Sequence, residues 1–394
     1  MQKKLLAVAV AGALAAPGAA LAASSVTITG YFQVSYAPIS KVSGKSNNDS
    51  QDRVQDESSR IWFRVVEDLG GGLQAIGQVD WRVTMDAGAD GTNGANWVGF
   101  RSKSWGDLTM GRHDLHYIYT EDQSYSRGGS LKMTNTSVIA YSAGGVAAVA
   151  IASRTPNTIV WDSPNWSGFT AKVAYSTNPY AAAEGELGNS ASGGYAWNIA
   201  PQYNAKNWGI GYSYYQGKND GGAFNIQQAG SAVVGTISGQ FEGKSHRVNG
   251  HYQWGGLRIG VVWDRSEWDV KDQANKAALA ALGFGSQISK RDAWSIPIRY
   301  SWGKWNVFGH YTWADDDDAQ IWNGINSGAK MWAIGGSYDF SKRTSVGLSW
   351  AQISNDNGAA YNLFTSASGL GSPDASVAPG EDPKQLAITV KHSF

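Results

Sequence analysis

The chain has 394 residues, with 49 Gly and no Cys, and its 32 Lys+Arg balance 32 Asp+Glu. Without cysteine there is no disulfide framework and no thiolate metal site. The balanced charge gives no footprint for a nucleic-acid partner. The 18 Trp and 18 Tyr are abundant, and such side chains gather where one end is apolar and the other wet, as at membrane interfaces.

The first residues read as a cleaved leader. Lys3 and Lys4 are followed by an apolar stretch, Leu5 to Ala16, that is too short to span a membrane as a helix. Pro17 and Gly18 break it, and Ala20-Leu21-Ala22 gives the small-x-small cleavage pattern. Residues 1–22 are therefore expected to be a signal peptide and 23–394 the mature domain. No later apolar run reaches the roughly 18 residues of a spanning helix.

From Ser25 onward, apolar and polar residues alternate with period two. Val26, Ile28, Phe32, Val34 and Tyr36 face one way, with Thr27, Thr29, Gln33 and Ser35 opposite. Leu73, Ala75, Val79, Trp81 and Val83 oppose Gln74, Gln78, Asp80 and Arg82. Farther along, Trp294, Ile296, Ile298, Tyr300 and Trp302 oppose Ser295, Arg299 and Ser301, and the chain ends on Leu386, Ile388, Val390, His392 and Phe394 against Gln385, Ala387, Thr389, Lys391 and Ser393. Sixteen such segments start near Ser25, Ser59, Leu73, Asn96, Asp107, Arg154, Gly168, Tyr195, Asn207, Lys244, Gly256, Arg291, Lys304, Lys330, Thr344 and Gln385. Most have about ten residues, the length at which a tilted strand crosses a bilayer.

Links between segments alternate short and long. The short ones include Asp68 to Gly72, Ser104-Trp105-Gly106, Gly255, Gly303 and Ser341-Lys342-Arg343; the long ones include Lys41 to Glu57, Asp114 to Ser153, Lys218 to Glu242 and Asn355 to Lys384. This rhythm predicts an all-β fold, a 16-stranded antiparallel transmembrane β-barrel with short periplasmic turns and long external loops. Trp81, Trp254, Trp263, Trp302, Trp313 and Trp350 are expected on the lipid face near strand ends.

The run S-R-I-W-F-R-V-V-E-D-L-G-G-G-L-Q-A-I-G-Q-V from Ser59 resembles the second and third strands of Gram-negative general porins, especially the β-proteobacterial branch. W-V-G-F-R-S from Trp97, L-T-M-G-R from Leu108, N-T-I-V-W-D-S-P-N-W-S-G-F from Asn157 and the final V-K-H-S-F extend the similarity. The resemblance implies an outer-membrane homotrimer in which each barrel carries a water-filled pore for small hydrophilic solutes and ions. It implies that the third external loop, here about Asp114 to Ser153, folds inward and narrows the pore. Lipopolysaccharide is an expected neighbour.

In such a passage fixed charges filter by sign and width sets the size limit. Arg60 and Arg64 share the polar parity of their strand, Arg112 and Arg154 flank the third loop, and Arg82 and Arg101 have inward parity. By resemblance, Arg60, Arg112 and Arg154 lead the basic wall, and Asp114, Glu121 and Asp122 are the acidic candidates on the loop. Two features depart from the family pattern. Trp62 holds a lumen position where the family commonly has a small residue, and would narrow the pore or pack under the third loop; the loop carries an apolar tract, Val138 to Ala152, with Ala147, Val149 and Ile151, which would pack against the wall or make a tighter, more selective channel.

Other motifs point to no chemistry. Asp315 to Asp318 reads as a solvated loop tip or a divalent-cation site, and His113-x-x-His116 lacks a third ligand. Gly70-Gly71-Gly72 has no following helix to cradle phosphate. No G-x-S-x-G motif or other partnered nucleophile is visible, so no enzyme activity, metal or cofactor is expected. A substrate-specific channel for a sugar or an organic acid is the alternative; a barrel enzyme or a plugged structural barrel are the remaining ones.

Overall fold

The computed structural model describes residues 24–40, 52–88, 90–92, 94–121, 128–141, 154–179, 194–227, 233–363 and 377–394. Sixteen long strands follow in chain order: β1 Ser25–Tyr36, β2 Arg60–Gly70, β3 Leu73–Val83, β4 Trp97–Ser102, β5 Gly106–His113, β6 Thr155–Asp162, β7 Phe169–Ser176, β8 Gly194–Asn204, β9 Trp208–Gln227, β10 Val233–Trp254, β11 Leu257–Val270, β12 Gln287–Trp302, β13 Trp305–Ala314, β14 Ala329–Asp339, β15 Thr344–Asn355 and β16 Lys384–Ser393. Each pairs antiparallel with its neighbours, and β16 returns to β1, with Tyr31 opposite Ser393 and Tyr36 opposite Ile388. Gly30 and Phe394 exchange backbone hydrogen bonds of 3.1 Å each at the seam. Closure satisfies both edges of the sheet, which an apolar bilayer requires. Three short strands, Ile39–Ser40, Val54–Asp56 and Asp90–Gly91, add to the wall at the loop end.

The burial pattern is that of a soluble protein turned inside out. On β16, Leu386, Ile388 and Val390 are 46%, 51% and 55% exposed, while Gln385 and Thr389 are at 3% and 0%. Apolar surface on this scale is stable only against lipid or another apolar partner. No helix among the described residues is long and apolar enough to cross a membrane, so strands are the crossing elements. The outward aromatics form two belts. Trp302 and Trp305 pair beside one turn, with Tyr300 and Tyr338 next to them. Nearer the loops, Trp294 stacks on Trp313 at 6.1 Å and meets Trp263 at a tilt at 6.2 Å. Trp302 lies eight positions beyond Trp294 on β12; at about 3.3 Å per residue and a tilt of about 40°, the belts lie roughly 20 Å apart, close to a barrel's apolar band.

Seven short turns join even-numbered strands to the next odd-numbered ones, so all lie at one end of the barrel. The expected link from Lys218 to Glu242 is mostly strand: β9 and β10 continue as a long hairpin with only residues 228–232 between them. Lys218-Asn219-Asp220-Gly221-Gly222 has turn-forming composition, yet the ladder absorbs it in a register shift between Asn219 and Gly222. A bulge takes up the extra residues without ending the pairing.

Candidate constriction site

The third loop leaves β5 at His113 and turns into the barrel. His116, fully buried, meets Ser213 Oγ of β9 through Nδ1 and Ser245 Oγ of β10 through Nε2, both at 2.8 Å. Beneath it, Asp264 of β11 accepts from Arg247 at 2.9–3.0 Å, from Ser245 at 2.8 Å and from Ser266 at 2.6 Å. Arg247 in turn donates to the carbonyls of His116 and Tyr117 at 3.2 and 3.3 Å. The buried ion pair is thus spent on holding loop backbone, and every lone pair it satisfies offsets the desolvation of its charges. Burial and the Arg247 guanidinium hold His116 down to about 4, so the latch is neutral at pH 7.

The loop then reaches the seam side of the lumen. Gln33 donates to Gly129 O at 2.9 Å, Ser349 Oγ accepts from the Ser130 N–H at 3.2 Å, and Glu57 accepts from the Leu131 N–H at 2.6 Å. Contact here is backbone on backbone: a Cβ added to Gly347 would sit 2.2 Å from the Gly128 carbonyl oxygen. A four-residue helix, Thr136–Ile139, follows; Asn135 donates to Ser295 at 3.0 Å, and Arg291 donates to Ile139 O at 2.7 Å. Met133, Val138 and Ile139 pack with Phe308, Met331, Ala333 and Ile353 of β13–β15 in one buried apolar cluster. The start of the apolar loop tract therefore lies against the wall; Ala147, Val149 and Ile151 fall outside the described residues.

The wall from β1 to β6 is different. Asp56 accepts from the N–H groups of Ser58 and Ser59 at 2.7 and 3.1 Å, pinning Ser58 at φ +66°. That left-handed backbone is unfavourable for a residue with Cβ, and it aims Ser58 at two arginines. Ser58 Oγ accepts from Arg60 at 2.6 Å and also from Arg82. Asp80 lies between the same pair, 3.4 Å from Arg60 and 3.2 Å from Arg82. Arg154, also with positive φ, is 3.8 Å from Asp114, and its charge and that of Arg60 both act on Arg82. Asp114 and Tyr117 at the start of the loop act on Arg60. Trp62 follows on the same face, with Arg60 and Arg64 at 5.4 and 5.2 Å from its ring.

Arg60, Arg82 and Arg154 are thus brought together, with Asp114 beside them. Four other candidates stand apart. Arg112 shares the parity of the outward Leu108 and Met110; at a register shift its Nε–H reaches the Arg154 carbonyl at 2.8 Å, where it braces the end of the loop. Arg101 has inward parity but sits beside the β4–β5 turn in an exposed bidentate pair with Asp107 at 2.7–2.9 Å. Arg64 lies toward the turn end, where it donates to Gln78 at 2.8 Å. Glu121 turns away from the arginines to Arg258 at 2.7 Å and His251 at 3.4 Å on β11 and β10. Period two gives the face of a strand and is silent on height and on which wall a loop side chain will meet. Asp122 falls outside the described residues.

Sequence reading missed Ser58, Asp80 as a shared counter-ion, and the inward Tyr31 beside Arg60 with Lys391 over its ring. Parity alone places Tyr31 and Lys391 on the lumen face; their meeting depends on the seam between β1 and β16. In the acidic run, Asp317 is buried and accepts from Ser289 Oγ at 2.5 Å and from the N–H groups of Lys290 and Ala319, while Asp316 accepts from those of Ser327 and Gly328. These two carboxylates fold the seventh loop, and among the described residues no group of three His, Asp or Glu could hold a metal. His113 stacks on Trp97 at 5.9 Å.

A closed 16-strand barrel with a polar interior and an inward loop has counterparts among known proteins. The family model of Gram-negative porins matches residues 7–358. The chain belongs to the Gram-negative porins. The major outer membrane protein P.IB of Neisseria lactamica is 25% identical over 383 residues, covering 93% of this chain and 98% of that one. A monosaccharide porin of Halomonas sp is 24% identical over 327 residues, 80% of each chain. Among solved structures, the anion-selective porin from Comamonas acidovorans superposes with a TM-score of 0.71 at 20% identity, over 94% of this chain and all of the other. OmpT of Vibrio cholerae, in its trimer form, gives 0.66 at 15% identity with the same coverage. This porin is an outer-membrane channel for passive diffusion, and family and fold point to a channel rather than an enzyme.

Proposed function

We propose that this porin passes small hydrophilic solutes and favours anions. The observation that carries the reading is the grouping of Arg60, Arg82 and Arg154 on one lumen wall, with Asp80 and Asp114 as counter-charges beside it. Three guanidinium groups against two carboxylates leave one net positive charge; at an effective dielectric of about 20, two unit charges 4 Å apart interact by about 4 kcal/mol, so that charge in a narrow passage biases ion flow. Glu121, spent on Arg258 and His251, does not oppose them. Likeness to a porin named as anion-selective supports the same direction.

Further parts of the reading follow from the family. The protein assembles as a homotrimer, as the trimer form of OmpT suggests. Residues 1–22 are removed on export, the short turns face the periplasm, and the loops face outward toward lipopolysaccharide. The test is the reversal potential of the purified trimer in a planar bilayer under a KCl gradient. An anion-favouring potential that shifts toward cations when Arg60, Arg82 or Arg154 becomes Ala supports the reading; a cation-favouring wild type overturns it.

A further inference from the structure

We propose that Tyr31, Trp62, Arg64 and Lys391 form a lumen subsite for small aromatic carboxylates. The inference rests on the channel reading and adds a solute class to it. Cations and rings alternate along one strip of wall. Lys391 Nζ lies 4.3 Å from the centre of the Tyr31 ring, and Arg60 lies 5.4 Å from Tyr31 and 5.4 Å from Trp62. Arg64 lies 5.2 Å from Trp62, and Tyr31 meets Trp62 edge to face at 5.9 Å. The strip exists because β1 pairs with both β2 and β16: Tyr31 is opposite Arg60 on one side and Ser393 on the other, and all these side chains have lumen parity.

The strip has unused capacity. Tyr31 and Trp62 are half-buried and Arg64 is exposed. Among the described residues, no protein acceptor takes the Tyr31 hydroxyl or the Trp62 indole N–H, and Arg64 commits only its Nε–H, to Gln78 at 2.8 Å. The two remaining nitrogens of Arg64 form the planar fork that matches a carboxylate. A ring carried by that carboxylate meets aromatic and guanidinium planes on which it can stack. A simple inorganic anion would use the charges and leave the rings idle. A neutral sugar needs acceptors for its hydroxyls, and Asp80, the carboxylate beside the strip, is already shared by Arg60 and Arg82. A planar body with one negative end uses both halves of the strip.

The test is block of chloride current in planar bilayers by benzoate, cyclohexanecarboxylate, acetate and glucose. Benzoate and cyclohexanecarboxylate share charge and size and differ in the π face. Benzoate should half-block at a concentration about 5-fold below cyclohexanecarboxylate, the factor one ring stack contributes, with acetate and glucose weaker still. Trp62→Leu should abolish that difference, and Trp62→Phe should keep most of it. Equal block by the two carboxylates, stronger block by glucose, or benzoate block unchanged in Trp62→Leu would each overturn the subsite. The wild-type comparison across solutes decides even where a variant fails to fold. A reversal potential that favours potassium would instead strike at the anion reading and leave the solute comparison intact.

Discussion

Arg247 on β10 and Arg60 on β2 are both inward-facing arginines beside an aspartate, in one barrel. Arg247 is 0% exposed and spends its donors on Asp264 and on the backbone of the third loop. Arg60 keeps 17% of its side chain open and is stacked between two rings. The difference is the loop. It lies along β9–β15 and turns that side of the lumen into a protein core, where charge is a fastener. Around Arg60 the described part of the loop makes fewer such fastenings, and the proposed role of this arginine is to act on passing ions.

The sharpest way to break this contrast is on the covered side. Asp264→Ala removes the counter-ion of a fully buried guanidinium, and the folded protein should lose about 3–5 kcal/mol, read as a large fall in thermal midpoint in detergent. A loss under about 1 kcal/mol would mean that the loop is not fastened there.

Acid should loosen the same latch. His116 is held down to about 4 in the folded protein, whereas a free histidine titrates near 6.5. The unfolded or unlatched state therefore takes up the proton first, so stability falls as the pH drops from about 6.5 to about 4 and flattens below. The full span corresponds to roughly 3 kcal/mol. Melting curves of the wild type and His116→Asn across that window should converge at low pH; parallel curves would show that His116 is not the titrating group.

On the open side the readout is selectivity. Changing Arg60, Arg82 and Arg154 together to Ala should move the anion-over-cation permeability ratio about tenfold toward cations, about 1.4 kcal/mol, with each single change giving part of it. Unchanged reversal potentials in all three single variants would sink the basic-wall assignment. The smallest effect belongs to Arg101→Ala. Its exposed pair with Asp107 should contribute less than about 1 kcal/mol, and the permeability ratio should not move; a clear shift would place Arg101 in the ion path.

Much of this protein is written in period two. Each strand's alternation is local, decided by whether a side chain meets lipid or water, so the sixteen strands, their inward faces and the short turns between them could be read residue by residue. The β9–β10 hairpin escaped because Asp220 and Gly221 look like a turn and a sheet can absorb them in a bulge. The inward parity of Arg60, Arg82 and Trp62 was likewise legible, and by itself the sequence determined which face of the wall they occupy. Closure and the path of the third loop decided the rest. They set the height that separates Arg101 from Arg82, the turn of Glu121 toward Arg258, and the meeting of Tyr31 with Lys391 across the seam. Those relations join residues far apart in the chain, and no local repeat encodes which strand will stand beside which side chain once the cylinder has closed.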